Sequence, residues 1–131
     1  MSMRNLGRRL GCGGATAVEF ALIAPVLFLL LFGALEASRM VWVQTVMEEG
    51  VAAAGRYAMT HPTAGAADLI AAARSNMPGI DAAAVTVTAA ADTVGSVTYM
   101  TVSAAYDFQC LVAILPVATV HLTSKARLPL L

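Results

Sequence analysis

Few side chains in this sequence are spaced for chemistry. The two histidines, His61 and His121, belong to no HxH or HExxH pattern, and the two cysteines, Cys12 and Cys110, form no CxxC pair. Neither a zinc site nor a disulfide framework is therefore read. Cys110 and His121 can be imagined as a nucleophile and its base. A cysteine set among Phe108, Leu111 and Val112 reads more simply as a packed or free thiol, and His121 as a solvated residue on the polar face of a strand. Asp68, Asp81, Asp92 and Asp107 are scattered among expected turns and helix starts, where carboxylates cap backbone amides. Gly11-Cys12-Gly13-Gly14 lacks a lysine and does not follow a strand, so it is not a phosphate loop. No catalytic residue, metal site or cofactor is expected.

The acid that stands out is Glu19. From Phe20 to Leu35 the sequence FALIAPVLFLLLFGAL carries no charge, and back to Ala15 Glu19 is the only one. As helix, Ala15 to Leu35 spans roughly 31 Å, enough for a hydrocarbon core about 30 Å thick. A lone helix satisfies its own backbone in lipid. Arg4, Arg8 and Arg9 precede it with no acid among them, which keeps the N-terminus cytoplasmic. A charge at the centre of such a helix costs about 2.5–3.5 kcal/mol and usually marks function, although near the end of the span it can snorkel. Composition agrees with a small membrane-attached protein. Of 131 residues 59% are hydrophobic and 12% charged, against about 45–50% and 25% in soluble domains. Eight basic residues balance eight acidic ones, which speaks against nucleic-acid binding. Glu36-Ala37-Ser38-Arg39 makes a poor signal-peptidase site. Leu10-Gly11-Cys12 precedes the apolar run, the wrong order for a lipobox.

Counting from Gly14, the chain reads Gly14-Ala15-Thr16-Ala17-Val18-Glu19-Phe20. With arginines before it and an apolar run after, this resembles the class III signal of type IV pilins and pseudopilins. The resemblance implies a prepilin peptidase cutting between Gly14 and Ala15 on the cytoplasmic side, leaving Glu19 fifth in the mature chain; a cut after Gly13 would put the acid one place too far. A glycine, lacking Cβ, lets an extended backbone lie close in a protease cleft. Glu19 in lipid would take a cation, which the α-amine of a neighbouring subunit could supply, fixing the axial register between helices. More narrowly, Val18-Glu19-Phe20-Ala21, Pro25, Leu29 to Leu31, Gly33 and Glu36 resemble the TadE-like proteins, minor pilins of tight-adherence pilus systems, over about Gly14 to Arg39.

That resemblance implies a structural minor pilin or pseudopilin, not an enzyme, serving a pilus used for surface attachment. Gly14 and Ala15 would be its processing residues, and Glu19 and Phe20 its assembly residues. Its partners would be the inner membrane, the prepilin peptidase, other minor pilins, the assembly platform and the major pilin. The head would be periplasmic. The alternative is an unprocessed, signal-anchored periplasmic scaffold or binding protein, which keeps residues 1–14 and does not need Glu19. If the leader is removed Cys12 goes with it, and Cys110 is left to be buried or to pair between molecules.

The elements expected to position these residues form an α+β chain. Residues 1–14 make a basic leader, 15–37 the transmembrane half of a long helix, and 38–131 a pilin-like head. In the head, 38–60 continue the helix and 61–131 supply a short helix and a three-stranded antiparallel sheet. Met40, Val43, Met47, Val51, Ala54 and Ala58 form one apolar stripe, which Gly50 and Gly55 weaken. Pro25 is expected to bend the helix and Pro62 to end it. Ala66 to Asn76 reads as the short helix, with Leu69, Ile70 and Ala73 inward. Val85 to Ala89 alternates, Asp92 to Ser96 reads as a turn around Gly95, and Val97 to Tyr106 as a strand whose alternation slips between Tyr99 and Met100, as at a bulge. Val120 to Leu128 has the clearest two-faced pattern, suited to cover the helix. The apolar stretch from Phe108 to Leu115 reads either as core or as an exposed patch for another subunit.

Overall fold

A computed structural model describes residues 13–111 and 119–130. The elements are α1 (Gly13–Thr60), α2 (Ala66–Ser75), β1 (Val85–Val94), β2 (Val97–Gln109) and β3 (Thr119–Leu130). The fold is α+β, as the sequence predicts. The chain divides into two compact units, one up to Leu35 and one from Glu36 onward.

The described part of the first unit is helix throughout. It passes Pro25 without a break, and Phe28 and Phe32, one turn apart, stack with ring centroids 6.3 Å apart. Its side chains bury nothing: the large apolar residues from Val18 to Leu35 are 45–71% exposed. That is the reverse of a soluble core helix and asks for lipid or other helices as its surroundings.

In the second unit the sheet is an antiparallel meander in the order β1-β2-β3. Its register is unbroken from Val85↔Tyr106 to Val94↔Val97 and from Thr98↔Leu130 to Gln109↔Thr119. Alternation is therefore regular, and the slip expected at Tyr99 is absent. Met100, Val102, Ala104 and Phe108 face the core, while Tyr99 lies on the other face, under the guanidinium of Arg127 at 4.4 Å. An aromatic ring on the outer face mimicked a change of phase. The strands also run longer than the alternation shows, to Val94 and to Gln109, so the turn shrinks to Gly95-Ser96. A two-residue hairpin loop needs positive φ at its first position, and Gly95 supplies +65°. Asp92 and Asp107, expected in turns, are strand residues making cross-strand pairs with Arg127 (3.1 Å) and His121. Asp68 and Asp81 do serve backbone amides, accepting from Gly65 and Ala83, each at 2.9 Å.

The core lies between the sheet and the helices. Val43, Met47, Val51, Ala54 and Ala58 of the expected stripe are buried, joined by Val46, and α2 turns in Leu69 and Ala73. Gly50 and Gly55, which cost helix propensity, are the points of closest approach. A Cβ on Gly50 would stand 2.5 Å from Met77 and 2.9 Å from the Ala73 carbonyl oxygen, and one on Gly55 2.9 Å from Leu128. Gln44 donates to the Thr123 carbonyl at 3.2 Å. From 44 to 55 the helix rises roughly 16 Å, and from 123 to 128 an extended strand advances about the same. α1 and β3 therefore run side by side in the same direction, and the inner face of β3 covers α1 as its two-faced pattern predicts. After β2, Phe108 is buried, Cys110 packs against the core as a free thiol, and Leu111 is exposed. The rest of the apolar stretch read from the sequence, from Val112, lies outside the described residues.

Candidate processing and assembly site

The four residues singled out by the sequence occupy the first turns of α1. Gly14, Ala15, Glu19 and Phe20 are all helical and exposed. Ala15 and Glu19 are four residues apart and share a helix face. The side chain of Glu19 leans back toward the N-terminus, as side chains on a helix do. Among the described residues no cation pairs with it. A Cβ built on Gly14 meets nothing within 4 Å, and the same holds for Gly33. Gly50, Gly55 and Gly79 differ, since each is crowded by a named neighbour. Among the described residues, packing therefore gives no reason for glycine at 14 or 33.

Sequence reading named Glu36 within the TadE-like resemblance but missed its bonding. It is only 7% exposed. Its Oε1 accepts from Arg39 Nη1 at 2.9 Å and from the backbone N–H of Leu111 at 3.0 Å. Arg39 in turn lies over the Phe108 ring, 5.0 Å from its centroid. The i,i+3 spacing of Glu36 and Arg39 is a signal visible in the sequence; the partner 75 residues on is not.

Catalytic alternatives find no support in the geometry. Cys110 packs against the core, whereas His121 is exposed on the outer face of the sheet, bonded to Asp107. Among the described residues no three His, Cys, Asp or Glu side chains gather where they could hold a metal ion.

Of the described helices, α1 is long and apolar enough to cross a membrane, and its apolar stretch is unburied. Searches among curated proteins and among solved structures give no match. A scan of family models matches residues 14–56 to the family described as TadE-like protein. The match starts at the glycine of the motif, takes in Glu19, Gly33 and Glu36, and ends on the buried stripe of α1. Over this segment the chain is similar to the TadE-like proteins.

Proposed function

We propose that this chain is a minor pilin or pseudopilin of a tight-adherence pilus, matured by a prepilin peptidase and used in surface attachment. The peptidase cuts between Gly14 and Ala15 on the cytoplasmic side of the inner membrane. α1 crosses that membrane once, with its N-terminus inside and the second unit in the periplasm. Glu19 then pairs with the amine of a neighbouring mature subunit, and Phe20 onward forms the surface where helices pack, with Ala17, Ala21, Ala24 and Gly33 permitting close approach. Other minor pilins, the assembly platform and the major pilin are its partners.

The observation that carries this reading is the unexplained glycine. Gly14 lies in the first turn of α1, where among the described residues a methyl group would touch nothing. No neighbour among the described residues requires glycine there, whereas a protease cleft that unwinds the first turn does. The adjacent Gly13 lowers the cost of that unwinding further.

N-terminal sequencing of the membrane-extracted protein, with and without a co-expressed prepilin peptidase, tests the proposal. A new N-terminus at Ala15, lost in Gly14→Val, is the expected result. Persistence of residues 1–14 beside an active peptidase would overturn it and leave a signal-anchored scaffold or binding protein.

A further inference from the structure

From Glu36 onward one described carboxylate stands without a partner. Glu36, Asp68, Asp81, Asp92 and Asp107 have the bonds given above, and Glu48 accepts from Gln44 at 3.0 Å. Glu49 is exposed and has no partner among the described residues. It lies on the side of α1 opposite the buried Met47 and Val51, where with Glu48, Thr45 and Ala52 it lines a concavity. Arg56 stands on the same rim, two turns and roughly 10.5 Å further along the helix.

The opposite side of the second unit carries an unanswered cation. Lys125 of β3 is exposed and has no ion pair among the described residues. It belongs to the outer face of the sheet, since the alternate residues Val120, Leu122 and Ala126 pack against the core. Beside it in the cross-strand row are the short side chains of Ser103 and Thr88. Its charged neighbours on that face are already engaged, Arg127 with Asp92 and His121 with Asp107. The two unanswered charges stand at one height. Gln44 ties α1 to β3 through the Thr123 carbonyl. Five helical rises carry Glu49 roughly 7.5 Å beyond that tie, and two strand residues carry Lys125 roughly 6.6 Å in the same direction.

We propose that the second units of two copies stack, helix layer against outer sheet face, so that Lys125 of one enters the concavity of the next beside Glu49 and Glu48. Charge complementarity selects a second copy as the occupant. Opposite charges on opposite surfaces at one height meet when a copy is moved straight across, with no turn and no slide. Copies related in this way run parallel. The contact is head-to-tail, so a row of them ends in a bare Glu49 on one side and a bare Lys125 on the other. One exposed ion pair adds little affinity; its effect is on register and orientation. The inference rests on the assembly role proposed above for bringing copies together, and it concerns the second unit alone.

Thr45, next to Gln44, and Thr123 are exposed at the level of the tie, one on each surface, and replacing them leaves both charges in place. Two differently tagged full chains, Thr45→Cys and Thr123→Cys, each also Cys12→Ser/Cys110→Ser, are co-expressed with a prepilin peptidase. Their membranes are oxidised with copper–phenanthroline, and circular dichroism of each purified variant checks folding. A disulfide between the two tags is expected, with little linkage of either variant to itself. Thr45→Cys/Thr123→Cys in one chain should give a ladder beyond the dimer. Glu49→Lys or Lys125→Glu should each reduce the mixed link about fivefold, and the two reversals together should restore it. Self-linked dimers overturn the stacking in favour of a two-fold pair. A mixed link indifferent to the charge reversals overturns the ion pair, and failure of the double reversal to restore it does the same. Linkage of Thr123→Cys to a different protein alone overturns it in favour of that partner. N-terminal sequencing of the same membranes separates this inference from the proposed function. Copies that begin at Ala15 yet form no mixed link overturn the stacking only, whereas a mixed link between copies that keep residues 1–14 sinks the processing and leaves the stacking.

Discussion

The carboxylate of Glu36 accepts the backbone N–H of Leu111 at 3.0 Å, across 75 residues of sequence. It ties the outgoing end of β2 to the first helical turn of the second unit, and Arg39 completes the acid's bonding. A nearly buried carboxylate is worth most when every partner is present, because the groups left behind by its removal are the ones that cost.

Glu36→Ala strands the Leu111 amide and frees Arg39. The expected loss is about 1–3 kcal/mol. Glu36→Gln keeps an oxygen for the amide and should lose less. Thermal unfolding in detergent micelles, followed by circular dichroism, gives the order; equal loss in both variants would make the charge, not the amide bond, the stabilising element.

The glycines of α1 divide into two kinds, and alanine scanning separates them. Gly50→Ala drives a methyl group to 2.9 Å from the Ala73 carbonyl oxygen, an atom that moves only with its backbone. An overpacking cost of about 1–3 kcal/mol is expected. Gly14→Ala and Gly33→Ala meet open space and should leave unfolding unchanged. Peptidase cleavage should nevertheless slow in Gly14→Ala, whose first turn is harder to unwind, and stop in Gly14→Val.

Glu19→Ala removes a charge from the apolar stretch and should not hinder membrane extraction or unfolding of the second unit. Its expected effect is loss of pilus assembly, scored as shed fibres in a strain lacking the native copy. Normal piliation with Glu19→Ala would remove the residue from the assembly mechanism.

Surface and core contacts of the sheet should differ in scale. Arg127 pairs with Asp92 and lies over Tyr99, all on the outer face; exposed contacts of this kind contribute about 0.2–1 kcal/mol each. Phe108 is 1% exposed, and Phe108→Ala should cost about 3–5 kcal/mol. Urea titration of Arg127→Ala and Phe108→Ala in micelles would show the gap.

What the sequence revealed followed where burial forces a period. The stripe from Val43 to Ala58 and the two faces of β3 were readable because each turns one side to a core. β1 beyond Ala89 was not. Ala90, Ala91 and Asp92 have weak strand preference, and Ala90 to Val94 is held in the sheet by its partner Val97 to Thr101. Asp92 and Asp107 were read as turn residues from their type, but the register sets them opposite Tyr99 and His121. The motif around Gly14 and Glu19 was legible because it is a run of adjacent residues. The bonding of Glu36 was not, since its decisive partner is remote.

The parallel course of α1 and β3 also dictates an order of events during synthesis. β3 leaves the ribosome after α1, α2, β1 and β2, yet Thr123 and Leu128 meet α1 at Gln44 and Gly55. Until it arrives, the flank of α1 that it covers stays bare, and closing so long a loop is slow beside local helix formation. The nascent chain thus carries an uncovered apolar stripe in addition to the apolar stretch that precedes it, and its vulnerability to aggregation and proteolysis is greatest in the interval before its final strand docks.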